Sequence, residues 1–392
     1  MDNIYFDHAA TTPVHPQVEE AMKPYFDKYY GNPSSVHSFG QDAARAITRA
    51  RKQVAELIGT EDERKIIFTS GGTESDNLAI KGTAMALRDK GKHIITSSIE
   101  HHAVLETCEW LEKYLNFEVT YIPVDENGFV DPEEVRNAIK DETILITIMM
   151  ANNEIGTIEP IAEIGKIAEE KSVYFHTDAV QAIGQIPVDV NELKVDLLSL
   201  SAHKFNGPKG IGALYVDSGV KLVPQMSGGN QERKKRASTE NVPGIVGLGE
   251  AAVIARENLE KKSKKLKDIR DYIIEGIREN IDDIILNGPE GDNRLPGNVN
   301  FCFKYVEGES ILLNLDGKGV AASSGSACTS GSLEPSHVLQ SVGLAPEVAH
   351  GSLRISLGLY NTREEAEYFI DILPDIIARL REMSALYEKN AN

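Results

Sequence analysis

Lys204 is the first residue of this chain with an evident chemical use. It stands beside His203, directly after the apolar run DLLSLSA. A lysine at a buried strand end is desolvated, which lowers the pKa of its amine and makes it a usable nucleophile. A lysine that lies along apolar surface and extends its amine to water fits the same position equally well. These residues alone leave the two interpretations open.

The stretch FTSGGTESDN (68–77) indicates a strand that ends in two glycines before a helix. Backbone N–H groups and the helix dipole bind anions at such a helix start, most naturally a phosphate. An ordinary tight turn explains the same residues equally well. Gly72 and Thr73 are therefore candidate phosphate ligands only in combination with other groups.

Two more strand ends carry polar side chains. Asp178 and Gln181 follow the run SVYFHT, where a carboxylate must be paired or hydrogen bonded because burying it alone costs several kcal/mol. Taken alone, a helix-capping Asp with a surface Gln is the better interpretation. His101 follows another strand in SSIEHHAV and could stack on an aromatic ligand or move protons, although a single His at such a place is more often structural.

Together, these groups fit one cofactor better than each fits alone. In open α/β sheets, ligands bind at the carboxyl ends of the strands. Pyridoxal phosphate needs a lysine for a Schiff base, a carboxylate beside its pyridine nitrogen and a phosphate site. The carboxylate keeps that nitrogen protonated, so that the ring can accept electrons from a substrate carbon.

The elements that must position these residues form two regions. Strand and helix patterns alternate from about residue 40 to 260, which predicts a mostly parallel sheet covered on both faces. A charged amphipathic helix follows from about 248 to 280. The remaining pattern predicts a smaller α+β region, whose last helix contains Pro374 and should kink or break there.

Composition excludes several classes of function. The net charge is −19, from 60 acidic and 41 basic residues, so the surface repels phosphate backbones and nucleic-acid binding is not expected. The basic run 261–267 is interpreted as a solvated helix face, and 232–236 as an exposed, non-catalytic run near the cleft. No signal peptide or span long enough for a membrane is seen. Three widely spaced cysteines predict neither disulfides nor a zinc site, and hence a cytoplasmic protein.

Ten motifs, in order, resemble the cysteine desulfurases of the NifS/IscS type, which belong to the class V aminotransferase group of fold type I pyridoxal-phosphate enzymes. The motifs are YFDHAATTPV, YGNPSSVHSFG, FTSGGTESDN, EHHAV, NNEIGT, HTDAVQAIG, SAHKFNGPKGIGALY, TENVPGIVG, SSGSACTSGS and LRISLGLYNT. The resemblance implies an α/β fold with a large, mostly parallel seven-stranded sheet domain at 15–260. A smaller α+β domain would comprise 1–14 and 261–392 and carry Cys328.

The resemblance also assigns roles by position. Lys204 would form the Schiff base, Asp178 would hold the pyridine nitrogen and Gln181 the ring oxygen. His101 would stack on the ring and move protons. The phosphate would be held by Gly72, Thr73, Ser201, His203 and, from the partner subunit of a homodimer, Thr239. The residues near the substrate would be Asn32, Asn153 and Arg354, with Asn153 also beside the cofactor and Arg354 gripping the carboxylate of L-cysteine.

Cys328, in a segment of Gly, Ala, Ser and Thr, would be the nucleophile that accepts sulfur. The products would be L-alanine and a persulfide, passed to an iron–sulfur scaffold protein of the IscU/NifU type. Cys328 could also share an iron–sulfur cluster with such a partner. Cys108 and Cys302, which have apolar neighbours, are interpreted as small core residues.

Two alternatives and one departure remain. The chain could be a selenocysteine lyase or another class V aminotransferase, or a non-catalytic scaffold that would keep full function after Lys204→Ala. Relatives usually have Gly before the cross-subunit Thr, whereas this chain has Ser238. If φ is positive at that position, Ser238 carries strain.

Overall fold

A computed structural model describes residues 3–324, 335–384 and 387. The strands are β1 (Ile4–Tyr5), β2 (Ile66–Thr69), β3 (His93–Ser97), β4 (Glu118–Ile122), β5 (Thr143–Thr147), β6 (Tyr174–Asp178), β7 (Leu197–Ser201), β8 (Gly212–Val216), β9 (Ile284–Leu286), β10 (Asn298–Phe303), β11 (Val320–Ala321) and β12 (Ser352–Ser356). The helices are α1 (Pro16–Met22), α2 (Pro24–Asp27), α3 (Ser38–Leu57), α4 (Gly72–Leu87), α5 (His102–Leu115), α6 (Pro132–Ala138), α7 (Ile161–Lys171), α8 (Val190–Leu193), α9 (Val242–Asn280), α10 (Gly308–Asp316), α11 (His337–Ser341), α12 (Pro346–Ala349) and α13 (Arg363–Glu382).

The large sheet has seven strands in the order β2-β8-β7-β6-β5-β3-β4. Neighbours from β7 to β4 are parallel, whereas β8 runs antiparallel to both β2 and β7. The predicted mostly parallel seven-stranded sheet is therefore confirmed. Because parallel strands share a direction, the carboxyl ends of β3, β5, β6 and β7 meet at one edge.

Both faces of this sheet are buried, as continuous apolar strands predict. Ile66 and Phe68 of β2 belong to one apolar cluster, together with residues of α3 and α9. Ile67, between them in sequence, belongs to another with residues of α4 and α5. This alternation follows from the pleat, which directs successive side chains to opposite faces.

A second group of strands lies outside the large sheet. The antiparallel sheet β12-β10-β9 and the parallel pair β1-β11 lie next to α13 and the second half of α9. Ile4 and Phe6 pack in the same apolar cluster as Phe369 and Leu373 of α13, so the two ends of the chain share one core. The proposed division into 15–260 and 1–14 with 261–392 remains a prediction.

Two helix predictions need correction. Helix α9 begins at Val242, six residues before the predicted start at 248, because the side chain of Asn241 caps it by accepting from Gly244 N. Of the kink or break predicted at Pro374, the break is wrong, since α13 continues through this residue. A proline inside a helix costs about 3 kcal/mol, but Leu373 and Ile377 are buried beside it, each stabilising by roughly 1.5–3 kcal/mol.

Within the described ranges, no helix has the length and apolarity needed to cross a membrane.

Candidate active site

The turn after β7 brings Lys204 to the carboxyl edge of the sheet. The apolar run DLLSLSA forms β7, which ends at Ser201, and the chain continues as a 3-10 turn, Ala202–Lys204. The Lys204 ammonium donates to the carbonyl of Ala9 at 2.5 Å and to that of Ala10 at 3.0 Å. The N-terminal segment after β1 therefore lies directly against the candidate nucleophile.

Asp178 ends the neighbouring strand β6 and is buried. Burial raises its pKa to about 6, while a hydrogen bond from Val180 N at 2.8 Å and the charge of Lys204 act in the opposite direction. A turn, not a helix, follows β6, so Asp178 is not a helix cap. Gln181 lies in that turn and donates to the Ala9 carbonyl at 3.0 Å. Lys204 and Gln181 thus meet at one oxygen atom.

His101 precedes α5 at the end of the segment that follows β3. Its Nδ1 accepts from Ala103 N at 3.1 Å and caps the helix, which assigns the ring proton to Nε2. Burial, followed by the charge of Lys204, lowers its pKa to about 4. The ring is therefore neutral at pH 7, near the Lys204 amine. The structural and the catalytic interpretations of His101 are compatible.

The start of α4 has the geometry of an anion site. Gly71 precedes Gly72 in an extended conformation and offers no side chain to the first turn of the helix. A Cβ on Gly212 of β8 would lie 2.7 Å from Gly71 Cα, so only glycine allows β8 and this turn to approach. Ser201 lies close by, since a Cβ built on Gly71 would be 3.8 Å from its Oγ.

Two other predicted phosphate ligands lie around this turn. Thr73 is exposed in the first turn of α4. His203 follows Ser201, and its Nδ1 lies 3.1 Å from Thr11 Oγ1. Burial and the neighbouring Lys204 and Lys209 lower the His203 pKa to about 4. A neutral ring can donate one hydrogen bond to an anion.

Arg354 and Asn153, both predicted to contact the substrate, lie together. Arg354 is buried in β12 and donates from Nη1 to the Asn153 carbonyl at 3.1 Å. Its Nη2 lies 2.8 Å from Asp7 Oδ1. Asp7 was not predicted, although the polar run DHAATT after the apolar IYF was a possible signal.

Two predicted residues, Asn32 and Thr239, are not part of this cluster within one subunit. Asn32 is exposed, and its side chain accepts from Ser34 N at 2.9 Å. Thr239 is also exposed, after Ser238, whose φ is +93°. The anticipated positive φ is therefore present. Cys328 lies outside the described residues.

The described residues on either side of 325–334 are held at the site. Ser323 exchanges backbone hydrogen bonds with Arg354, at 2.6 and 3.2 Å. Ser336 Oγ donates to Glu154 Oε2 at 2.5 Å, beside Asn153. Sequence reasoning missed Glu154, which is a buried carboxyl within the motif NNEIGT.

Two further buried carboxyls lie behind Asp178. Burial raises the pKa of Glu100 to about 8, although its Oε1 accepts from Ser97 Oγ at 2.6 Å and Met149 N at 2.8 Å. Burial and the charge of Asp178 raise the pKa of Asp76 well above its ordinary value. Glu100 is therefore a mostly neutral acid at pH 7, and Asp178 beside Lys204 carries the negative charge.

Both described cysteines are buried, as predicted. Burial raises the pKa of Cys302 to about 11 and that of Cys108 further. Neither is a thiolate near pH 7, so neither is a ready nucleophile. Their interpretation as core residues is confirmed.

The donor set fits pyridoxal phosphate. An amine, a carboxylate beside it, an uncapped helix start and a buried arginine lie around the same edge of the sheet, at Lys204, Asp178, Gly72 and Arg354. Such a set can bind an amino acid through its carboxylate, form an imine at the amine and hold a phosphate dianion.

Known proteins match this chain along most of its length. The model of the family described as aminotransferase class-V matches residues 4–369. The protein named cysteine desulfurase IscS from Dictyoglomus turgidum is 58% identical over 381 residues, covering 97% of this chain and 96% of that protein. The protein of the same name from Methanosarcina thermophila is 58% identical over 386 residues, covering 98% and 95%.

Solved structures of similar proteins also match most of this chain. One described as a NifS-like protein has a TM-score of 0.90 and 38% identity, covering 96% of this chain and 100% of that one. Another, described as SspA in complex with cysteine, has a TM-score of 0.81 and 40% identity, covering 92% and 100%.

Proposed function

We propose that this chain, which belongs to the aminotransferase class-V family and within it to the cysteine desulfurases, takes sulfur from L-cysteine and passes it on through Cys328. The observation that supports this most is that the Lys204 amine and the Asp178 carboxylate lie at one edge of the sheet. They are close enough for the charge of Lys204 to lower the pKa of Asp178. This pairing is what pyridoxal phosphate requires.

The cofactor, when bound, supplies an electron sink for the α-carbon of the substrate. We assign its covalent attachment to Lys204 and its ring nitrogen to Asp178. The other proposed contacts are the ring oxygen for Gln181, ring stacking for His101, a further contact for Asn153, and the phosphate for Gly72, Thr73, Ser201 and His203.

The substrate is bound by its carboxylate in this proposal. Arg354, buried and already oriented by Asp7 and the Asn153 carbonyl, grips it with two hydrogen bonds. Asn153 and Asn32 complete the contacts to the substrate. The Lys204 amine would carry the α-proton of the substrate, and the neutral His101 would move a further proton.

Sulfur transfer is assigned to Cys328. Its thiolate attacks the sulfur of the bound cysteine, an S–S bond forms and the C–S bond breaks. The electron pair of the C–S bond would pass to the β-carbon, which would take up a proton, so that the product leaves as L-alanine while the persulfide stays on Cys328. The described neighbours Ser323 and Ser336 hold the two flanks of residues 325–334 beside Arg354 and Glu154, which supports this assignment.

The proposal includes partners. A homodimer would bring the exposed Thr239 to the phosphate of the other subunit. An iron–sulfur scaffold of the IscU/NifU type would accept the sulfur, and Cys328 could share a cluster with it. A cytoplasmic location agrees with the cysteine content. The names of the relatives do not favour a selenocysteine lyase or another aminotransferase.

The test is alanine and sulfide formation from L-cysteine with a thiol reductant, in the wild type and in Cys328→Ala. Equal amounts of both products from the wild type alone would support the proposal. Alanine from neither protein, with cofactor bound, would contradict it, and transfer to keto acids would then be measured.

A further inference from the structure

Arg236 belongs to the basic run 232–236, which the sequence predicts to be exposed, non-catalytic and near the cleft. In the structure its side chain is about one-fifth exposed, and its guanidinium makes two contacts with the Glu74 carboxylate. Nε lies 2.8 Å from Glu74 Oε1, and Nη2 lies 3.2 Å from Oε2. This two-pronged geometry fixes the orientation of the Arg236 side chain as well as its distance from Glu74.

Glu74 lies in the turn that is the proposed phosphate site. It is in the first turn of α4, and its Oε2 accepts from Ser70 N at 2.7 Å across that turn. The hydrogen bonds from Arg236 and Ser70 outweigh burial and lower the Glu74 pKa, so the residue is ionised. Arg236 compensates this charge next to the place where a phosphate dianion would bind.

The loop that contains Arg236 runs along the edge strand β2. Arg51 donates from both terminal nitrogens to the buried Glu232 carboxylate at 2.6 Å each, and Phe68 N donates to the same group at 3.0 Å. Arg233 donates to the Ile66 carbonyl at 2.6 Å. One end of the loop is thereby anchored to β2, and Arg236 anchors the other end to the turn after β2.

The backbone of this loop is strained. Four non-glycine residues, Glu232, Arg233, Lys234 and Ser238, have φ of 43°, 56°, 65° and 93°. Such conformations persist only where surrounding contacts enforce them. Arg236 lies two residues before Ser238 and three before Thr239, so its ion pair restricts where Thr239 can lie.

We propose that Arg236 is a positioning residue for the cofactor, which ties the loop that presents Thr239 to the turn at the start of α4. One contact, Arg236–Glu74, then links the phosphate site of a subunit to the residue that this subunit offers to its partner. This inference rests on the proposed function, namely on the homodimer and on Thr239 as a cross-subunit ligand.

The test measures cofactor affinity, not turnover. Full-length apoprotein is titrated with pyridoxal phosphate, followed by the absorbance of the bound cofactor, for the wild type, Arg236→Met, Thr239→Val and the double variant. We expect Arg236→Met to raise the dissociation constant about tenfold, within the range of coupled sites. In the Thr239→Val background, Arg236→Met should cause no further loss of cofactor affinity.

The controls separate positioning from general damage. Arg64 makes a two-pronged contact with Asp62 in the same way but is exposed, so Arg64→Met should leave the affinity unchanged. If Arg236→Met does not fold, Arg236→Lys keeps the charge without the two-pronged contact and should weaken binding by a smaller factor.

The inference would be overturned by an unchanged dissociation constant in Arg236→Met. It would also be overturned if Arg236→Met lowered the cofactor affinity by the same factor in the wild type and in Thr239→Val. Alanine formation by the wild type at saturating cofactor tests the proposed function separately. If the wild type forms alanine but Arg236→Met does not change the affinity for pyridoxal phosphate, only the inference is refuted. If the wild type forms no alanine, the proposed function is refuted.

Discussion

Asp7 forms an ion pair with Arg354, in which Asp7 Oδ1 lies 2.8 Å from Arg354 Nη2 and the arginine side chain is only 3% exposed. The residues are 347 positions apart, and a bridge between Asp7 and Ser356 brings β1 to the side of β12. The Asp7 carboxylate and the Asn153 carbonyl, each bonded to a different terminal nitrogen, orient the guanidinium before any substrate arrives. A preoriented arginine loses less freedom when it binds a carboxylate.

Arg354→Lys should therefore weaken the binding of cysteine, because an ammonium cannot make the two-pronged contact. Hydrogen bonds to charged groups contribute about 1.5–3 kcal/mol, so we expect KM to rise by roughly 10-fold to 100-fold with a smaller change in kcat. Asp7→Asn, which keeps the shape but removes the charge, should raise KM less. Steady-state alanine formation measures both, and an unchanged KM in Arg354→Lys would contradict the carboxylate role.

Lys204→Ala should abolish the visible absorbance band of the covalently bound cofactor and stop alanine formation. The Lys204 amine is the group to which we assign both the attachment of the cofactor and the transfer of the α-proton. The absorbance spectrum of the purified variant is the measurement. Lys209→Ala, which removes an exposed lysine five positions on, is the matched control and should keep the band. Full activity without Lys204 would instead support a scaffold.

Cys328→Ala should keep the visible absorbance band but release no sulfur, because the variant has no Cys328 thiolate to attack the sulfur of the substrate. Cys302→Ala is the control. It removes a buried thiol whose pKa of about 11 keeps it protonated, so it should cost some stability, roughly 1 kcal/mol, and leave turnover intact. Alanine and sulfide are measured in parallel. Equal alanine yields from Cys328→Ala and the wild type would exclude the nucleophile role.

The positions of the seven strands could be predicted from sequence, because most are short apolar runs between turn signals and β4 alternates between polar and apolar residues. The same holds for Lys204 and Asp178, which end two of those runs. The pairing of Asp7 with Arg354 could not, since no local pattern encodes a contact between the two ends of a chain. The continuity of α13 through Pro374 depends on burial against another element, which also lies outside local propensity.

Glu100 should make the stability of the protein depend on pH. Its pKa is about 8 in the folded state and 4.5 ordinarily, so between these values the folded protein holds a proton that the unfolded chain has lost. The free energy of unfolding should thus fall as pH rises through this window, by up to ~1.4 kcal/mol per pH unit from this group.

Glu100→Gln removes this titration, so the free energy of unfolding should fall less steeply as pH rises. Urea midpoints at about pH 5 and about pH 8 measure it. Glu126→Gln, a change at an exposed acid, should leave the decline as in the wild type. A Glu100→Gln variant with the wild-type pH dependence would show that Glu100 is ionised in the folded protein at neutral pH.

Ser238→Gly should stabilise the protein, because φ of +93° is unfavourable for serine and accessible to glycine. Relief of strain contributes about 1–3 kcal/mol, and the greater freedom of glycine in the unfolded chain offsets roughly 0.5–1 kcal/mol of it. We expect a net gain of about 1 kcal/mol in urea unfolding. Ser218→Gly, at an exposed site whose φ is outside the left-handed region, has no strain to relieve and should destabilise slightly. A loss of stability in Ser238→Gly equal to that in Ser218→Gly would mean that the Ser238 backbone is not strained.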